Sequence, residues 1–301
     1  MTGKFDLQNV FVRILKKSNR CDIIEINIEK FIFYYISTRE EYLMILCLST
    51  RGKILAVGKI EENVFIACDG TEIGEVTMVL PVDPYSVVVG IDQNAGVLFV
   101  NASGTVDYYE YGYRSGLPST IGGYSIDYYE YGYRSGYISK IGNFDLDYYE
   151  YGYRSGKLSK VGYYNVDYYE YGYRSGRVSC VGSNSIDYYE YGYRSGKISK
   201  IGYYDVDYYE YGYRAGRIST IGSTQIDYYE YGYRAGKVSK VGYFPIDYYE
   251  YGYRTGKVSS VGNDNVDYYE YGYRSGKLSK IGAYTVDYYE YGYRSGFISR
   301  I

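Results

Sequence analysis

The stretch Asp127-Tyr128-Tyr129-Glu130-Tyr131-Gly132-Tyr133-Arg134 decides the fold, because it recurs without a substitution every 20 residues. Its ten copies begin at Asp107, Asp127, Asp147, Asp167, Asp187, Asp207, Asp227, Asp247, Asp267 and Asp287. A fixed period of this length is typical of a repeat architecture, in which each unit packs against its neighbours. We therefore expect any surface feature of one unit to form a row along the array.

Each repeat has the pattern of a β-hairpin. Residues 126–134 are rich in tyrosine, which favours strands, and Ser135-Gly136 then indicates a tight turn. A shorter second strand is predicted from Lys157 to Val161, with Gly162 opening the next turn. Alternation along the long strand places Tyr129, Tyr131 and Tyr133 together with Asp127 on one face. We call these three tyrosines and their equivalents the tyrosine ladder.

The reverse face of the predicted strand carries Ile126, Tyr128, Glu130, Gly132 and Arg134. A parallel solenoid would stack each of these charges on its own copy at ~4.8 Å, whereas an antiparallel meander separates the copies. We therefore predict an all-β fold of tandem 20-residue β-hairpin repeats in an elongated, twisted antiparallel sheet. A β-solenoid is the alternative, and a mixed N-terminal cap precedes the repeats in either case.

Three domains are expected along the chain. Residues 107–301 hold the ten repeats, and residues 51–106 resemble them as degenerate, more apolar hairpins that would cap the array. Residues 1–50 form an N-terminal module, with an amphipathic helix predicted at 5–17 and a strand at 21–37. Residues 38–48 fit helix or strand equally well.

The run Tyr-Glu-Tyr-Gly-Tyr-Arg-Ser-Gly-Arg-Val-Ser at 169–179 resembles the YD repeats of Rhs-type proteins and also MORN-like repeats. Both families form antiparallel hairpin sheets, so the resemblance implies the same for residues 107–301. The chain has Gly112, Gly132 and their equivalents where YD repeats carry an aspartate. It is also too short for the closed cocoon that YD repeats form.

Composition argues against several classes of function. The repeat part carries 23 basic and 23 acidic residues and so lacks the basic stripe that nucleic-acid binding needs. The chain has no histidine, the commonest general base, and its four cysteines match no metal or disulfide pattern. We expect no enzymatic activity, cofactor or metal. With no signal peptide and no apolar run to span a membrane, a cytoplasmic location is expected.

The residues between one octapeptide copy and the next vary, and this variation predicts a binding site. A partner, whether a protein, a peptide or a glycan, would contact these variable turns and the tyrosine ladder. The candidate residues are Tyr163, Tyr164, Tyr203, Tyr204, Tyr243, Phe244, Tyr284, Tyr129, Tyr131 and Tyr133. Two readings compete with this one, since turn residues drift freely and the ladder could serve only to pack the sheet.

A structural protein is the alternative function. The chain ends at Ile301, directly after a predicted strand, and an unpaired strand edge invites pairing with a second copy. End-to-end assembly into filaments would follow. A precursor that is cleaved into tyrosine-rich peptides is a third hypothesis.

Overall fold

The computed structural model of the protein describes residues 13–16, 22–28, 31–37, 44–61, 64–69, 77–81, 87–91 and 97–301. In these ranges the chain forms strands and single-turn 3-10 helices, and no α-helix occurs among them. The chain divides into two compact units, Met1–Tyr42 and Leu43–Ile301. The fold is all-β.

The first unit contains a three-stranded antiparallel sheet in the order β1-β2-β3. Its strands are β1 (Arg13–Lys16), β2 (Asp22–Ile28) and β3 (Phe31–Ser37). The strand prediction for 21–37 is thus confirmed as two strands. Of the helix predicted at 5–17, the described residues 13–16 form a strand, and the rest lies outside the described residues.

The second unit begins with a small closed barrel of six strands, in which β4 pairs with both β5 and β9. The strands are β4 (Met44–Ser49), β5 (Ile54–Glu61), β6 (Val64–Ala67), β7 (Thr77–Pro81), β8 (Val87–Ile91) and β9 (Val97–Asn101). The described strands within residues 51–101, where degenerate hairpins are predicted as a cap, belong to this barrel. Strands up to Asn101 pair within the barrel, because β9 closes against β4, and only residues 102–106 join the repeats.

The repeats form a 19-stranded antiparallel sheet, β10 to β28 in chain order, which is a meander as predicted. The long strands are β10 (Val106–Tyr108), β12 (Tyr124–Tyr128), β14 (Phe144–Tyr148), β16 (Tyr164–Tyr168), β18 (Asn184–Tyr188), β20 (Tyr204–Tyr208), β22 (Thr224–Tyr228), β24 (Phe244–Tyr248), β26 (Asp264–Tyr268), β28 (Tyr284–Thr285) and β29 (Asp287–Tyr288). The short strands are β11 (Pro118–Ile121), β13 (Ile138–Ile141), β15 (Leu158–Val161), β17 (Val178–Val181), β19 (Ile198–Ile201), β21 (Ile218–Ile221), β23 (Val238–Val241), β25 (Val258–Val261), β27 (Leu278–Ile281) and β30 (Ile298–Arg300).

The long strands stop earlier than predicted, after the first tyrosine of the octapeptide. The remaining octapeptide residues enter a loop with one turn of 3-10 helix, Gly132–Arg134 in the second repeat. Gly132 has φ +77, a left-handed conformation that suits glycine and ends the extended backbone. The loop closes where the Gly136 N–H donates to the Tyr129 carbonyl at 2.9 Å. The predicted two-residue turn at Ser135-Gly136 is therefore the last part of a nine-residue loop.

The meander gives the array two different rims. We number the hairpins 1 to 10 in steps of 20 residues, so that hairpin 2 is 124–143 and hairpin 10, with 18 residues, is 284–301. The nine-residue loops all lie on one side of the sheet, at one end of each strand, and we call this side the loop rim. The tight turns such as 142–143 lie at the other ends, the turn rim. Because consecutive strands alternate in direction, the octapeptide loops all reach one rim and the variable turns the other.

The first and last hairpins meet. The main chains of Gly104 and Ile301 exchange both hydrogen bonds, at 2.8 and 2.9 Å, and Thr105 lies opposite Arg300. Arg300 and Thr105 are the equivalents of Thr120 and Ser125, which pair in the same way inside the array. The long strand of hairpin 10 is interrupted at Val286 between β28 and β29, so the 19-stranded sheet ends at β28 and is not a closed barrel. The contacts between hairpins 10 and 1 nevertheless join the ten hairpins into a ring.

Ring closure corrects two expectations. The strand edge at Ile301 is not unpaired, since residues 104 and 105 occupy it and Ile301 is buried. The premise of end-to-end assembly is thereby removed. Ten hairpins also suffice for closure, although the array is shorter than the cocoons of YD repeats.

One hydrophobic core joins the small barrel to the ring. Met44, Leu46 and Leu48, on one face of β4, belong to the same buried cluster as Ile126, Tyr128 and their equivalents in the hairpins. Hairpins 1 to 10 all contribute residues to this cluster, and the small barrel bonds to hairpins on both sides of the closure: the Ile138 N–H donates to the Thr50 carbonyl, and the Tyr268 hydroxyl to the Cys68 carbonyl. The barrel therefore lies inside the ring.

The dimensions of the two layers agree. At ~4.8 Å per strand, 20 strands give a ring about 31 Å across and six strands a barrel about 9 Å across. The gap between the two walls is then about 11 Å, close to the ~10 Å at which sheets pack face to face. Ten hairpins are thus about the number that the small barrel can fill.

Candidate functional site

Most of the octapeptide forms the interface between adjacent hairpins. The Tyr129 hydroxyl donates to the Leu146 carbonyl of the next hairpin at 2.7 Å, and the Tyr129 ring meets Tyr148 edge-on at 6.3 Å. Arg134 lies over the Tyr129 ring at 4.0 Å and forms an ion pair with Asp147. Each contact recurs at all ten junctions, including the junction of hairpins 10 and 1, where Arg294 pairs with Asp107.

The first and last tyrosines of the octapeptide also bind main-chain carbonyls. Tyr148 is buried and its hydroxyl donates to the Ile138 carbonyl of the preceding hairpin at 3.0 Å. Burial raises the pKa of Tyr148 far above its usual range, because the site solvates a phenolate poorly. Tyr133 is half-exposed and donates to the Tyr148 carbonyl at 2.9 Å. These contacts account for the constancy of five octapeptide positions, and the left-handed backbone of Gly132 accounts for a sixth.

Glu130 and Tyr131 have no such contact in the described part of the chain. Tyr131 and its nine equivalents are 77–79% exposed, and the glutamates are exposed as well. Within each pair, the hydrogen bond between the tyrosine hydroxyl and the glutamate raises the pKa of the tyrosine. The turn residues differ among the hairpins, so the copies have diverged elsewhere. The pair stays constant although the packing does not require it.

The exposed tyrosines form a continuous row around the loop rim. Every hairpin carries its exposed tyrosine and its half-exposed tyrosine in the same loop at this rim, as Tyr131 and Tyr133 in hairpin 2. The pKa of Tyr131 is raised first by Glu130 and further by Tyr113 of the preceding hairpin. The same coupling joins Tyr111 to Tyr293 across the closure. Ten fully exposed and ten half-exposed tyrosines thus alternate along the rim. We call this row the tyrosine belt.

The structure separates the three tyrosines of the predicted ladder. Tyr129 packs between hairpins, Tyr133 is half-exposed, and Tyr131 alone faces solvent fully. Alternation held only to Tyr128, where the strand ends. Sequence reasoning missed Glu130 as a site residue, because the predicted strand puts it on the reverse face together with Arg134, whose charge would compensate it. The composition indicates an unpaired acid, since each octapeptide has two acidic residues and one basic residue. Only the structure shows that the arginine pairs with the aspartate.

The predicted variable residues lie on the turn rim, at the other end of the strands from the belt. Tyr163, Tyr203 and Tyr243 are 91, 96 and 86% exposed. The next residue of each triplet lies beside a turn glycine of its own hairpin, Tyr164 beside Gly182, Tyr204 beside Gly222 and Phe244 beside Gly262. Tyr164 is partly buried against the core and Phe244 is partly buried, whereas Tyr204 is 44% exposed. Tyr284 is partly buried against the core. One small partner could not contact both the variable turns and the belt.

Part of the turn variation serves the fold. Asp264, from the triplet 263–265, forms an ion pair with Lys59 of the small barrel, whose side chain is 1% exposed. A buried ammonium needs a carboxylate partner, so this triplet fixes how the barrel sits in the ring. Sequence analysis did not anticipate this pair, because its members are 205 positions apart.

Other candidate features are few in the described residues. Cys47 and Cys68 are buried thiols, burial raises the pKa of Cys68 to about 12, and Cys180 is partly exposed. In the same ranges no three acidic or cysteine side chains converge as metal ligands would. None of the helices described there is both long and apolar enough for a membrane span.

No protein-family model matches the chain, and no curated protein matches it in sequence. What the structure shows is the class: tandem β-hairpin repeats of 20 residues with tyrosine-rich strands and glycine turns. The likeness to YD and MORN-like repeats stays a hypothesis based on the motif at 169–179.

Proposed function

We propose that the protein is a non-enzymatic repeat scaffold that binds a protein, peptide or glycan partner through its tyrosine belt. One observation carries the proposal: Glu130, Tyr131 and their equivalents are identical in ten otherwise diverged copies, yet they are exposed and outside the packing. By contrast, the arginine, the aspartate and the second and last tyrosines of the octapeptide bond to neighbouring hairpins, as Arg134, Tyr129 and Tyr133 do.

The chemistry of the belt suits recognition. Tyrosine offers a large ring and a hydroxyl at little cost in conformational entropy, which is why it is common at protein interfaces. A contiguous exposed aromatic surface also marks interaction sites in soluble proteins. Because the unit is repeated ten times, a weak contact at one hairpin becomes strong binding to a partner that spans several.

The experiment compares the two rims on peptide and glycan arrays. A belt variant carries Tyr→Ser at the ten fully exposed positions, Tyr111, Tyr131 and their equivalents. A matched control carries Tyr163→Ser, Tyr203→Ser and Tyr243→Ser on the turn rim. We expect the belt variant to lose the ligands of the unmodified protein and the control to keep them. Circular dichroism should match for all three, since exposed substitutions cost little stability.

Two results would contradict the proposal. The unmodified protein could bind no member of either array, or the belt variant could bind as well as the unmodified protein. Loss of binding in the turn-rim control alone would transfer the site to the variable turns.

A further inference from the structure

We propose that the partner of the tyrosine belt is a basic polypeptide, whose lysine and arginine side chains lie on the exposed rings and pair with the adjacent glutamates. This inference rests on the proposed function and names the chemistry of its partner. It follows from the charge and the ring faces at the loop rim.

The glutamates of the belt are available for pairing. Arginine and aspartate of the octapeptide neutralise each other at every junction, as Arg134 does with Asp147. Among the described residues, none of the ten octapeptide glutamates forms an ion pair, and all are exposed. Glu130 and Tyr131 are consecutive residues of the loop, and both side chains are exposed. Each hairpin therefore presents one carboxylate next to one exposed aromatic face.

The aromatic faces suit cations. A tyrosine ring attracts ammonium and guanidinium groups, and a nearby carboxylate adds to the attraction. The same loop already binds a cation in this way: the guanidinium of Arg134 lies 4.0 Å from the Tyr129 ring centre and 5.1 Å from that of Tyr133. Tyr131 offers the same kind of face to solvent.

The charge is distributed unevenly around the ring. Seven hairpins carry lysine or arginine at the last loop position, and those side chains turn toward buried tyrosines, as Lys157 does at 4.9 Å from Tyr168. Hairpins 10, 1 and 2 are adjacent across the closure and carry Phe297, Leu117 and Tyr137 there instead. Arg51 of the small barrel lies over the Tyr137 ring at 4.5 Å, so hairpin 2 has a cation near this position, whereas Leu117 and Phe297 bring none to hairpins 1 and 10. We expect this acidic arc, hairpins 10, 1 and 2, to bind a cationic chain most tightly.

The test measures fluorescence anisotropy of a labelled oligolysine of about ten residues. Two variants alter the arc. The glutamate variant carries Glu110→Gln, Glu130→Gln and Glu290→Gln, and the tyrosine variant carries Tyr111→Ser, Tyr131→Ser and Tyr291→Ser. The matched control has Ser at Tyr191, Tyr211 and Tyr231. We expect salt-sensitive binding by the unmodified protein. Each arc variant should weaken the binding of oligolysine roughly tenfold, because it alters three contacts that each contribute only a few-fold. The control should weaken this binding less.

The tyrosine variant is decisive, because it leaves the net charge unchanged. If it binds oligolysine as tightly as the unmodified protein, attraction is purely electrostatic and the inference is overturned. Belt-dependent binding of a neutral glycan, with no binding of oligolysine, overturns the inference but leaves the proposed function standing. Sedimentation that shows two copies joined through the belt does the same. If neither oligolysine nor any array ligand binds, both proposals fail.

Discussion

At the scale of single residues, the four tyrosines of one octapeptide occupy different environments. In hairpin 8 the Tyr248 hydroxyl donates to the Val238 carbonyl at 3.1 Å, and burial raises its pKa well above the usual 10.0. Tyr251 is exposed, and Glu250 raises its pKa by a hydrogen bond. One residue type thus serves as core, as interface and as surface within eight positions.

The buried tyrosines predict alkaline unfolding. Their folded pKa lies above the unfolded value of 10.0, so stability is full below about pH 10 and is lost as the pH rises from there toward the folded pKa. Each such tyrosine contributes up to ~1.4 kcal/mol per pH unit in this window. Denaturant unfolding followed at several pH values, with phenolate absorbance, should show a steep loss.

The matched pair for this prediction is Tyr248→Phe and Tyr251→Phe. The first should make the loss above pH 10 less steep, and cost about 1 kcal/mol at neutral pH through the lost hydrogen bond. Tyr251→Phe should change the loss of stability above pH 10, and the stability at neutral pH, much less than Tyr248→Phe does. A steady stability up to pH 12 would contradict the assignment of these tyrosines to the core.

At the scale of elements, each hairpin depends on a glycine in the 3-10 turn. Gly192 has φ +80, and a Cβ at this position would meet nothing within 4 Å. Gly52, in the turn between β4 and β5, has φ +77, but a Cβ there would lie 2.2 Å from the Tyr128 hydroxyl oxygen. One position is restricted by backbone conformation and the other by conformation and packing.

We therefore expect Gly192→Ala to cost about 1–2 kcal/mol, the usual penalty of a left-handed conformation, and Gly192→Asn to cost less. Gly52→Ala should cost more than either, because Tyr128 must also move. Urea midpoints at a constant slope measure these differences. Equal costs for both alanine variants would show that Gly52 does not contact the ring.

At the scale of the whole molecule, the ring replaces two open ends by a tenth junction, which has the same contacts as the nine junctions between consecutive hairpins. Hairpins 10 and 1 are joined by Arg294–Asp107, by the Tyr293 hydroxyl on the Tyr108 carbonyl at 2.9 Å, and by Tyr289 edge-on to Tyr108. Repeat proteins with open ends need polar caps, and closure removes that need.

Closure predicts a disulfide. Thr105→Cys with Arg300→Cys places two cysteines on directly opposed residues, at a separation that a disulfide can bridge. In a Cys180→Ser background, mild oxidation should give a cross-linked monomer of faster mobility on a non-reducing gel. Thr120→Cys with Ser125→Cys is the positive control, because these residues pair inside the array. Thr105→Cys with Thr220→Cys is the negative control. Disulfide-linked dimers in place of the monomer would show that the ring is open.

The sequence by itself determined the repeat, the hairpin and the antiparallel meander, because turn glycines and strand tyrosines act over a few residues. It also pointed to Tyr131, although it did not separate that residue from Tyr129 and Tyr133, whose hydroxyls bind carbonyls about 15 positions away. Only the tertiary structure decided that Arg134 takes Asp147 and leaves Glu130 exposed, that Asp264 holds Lys59, and that Ile301 pairs with Gly104. These partners are set by the curvature of the ring and the size of the barrel inside it, which no local pattern encodes.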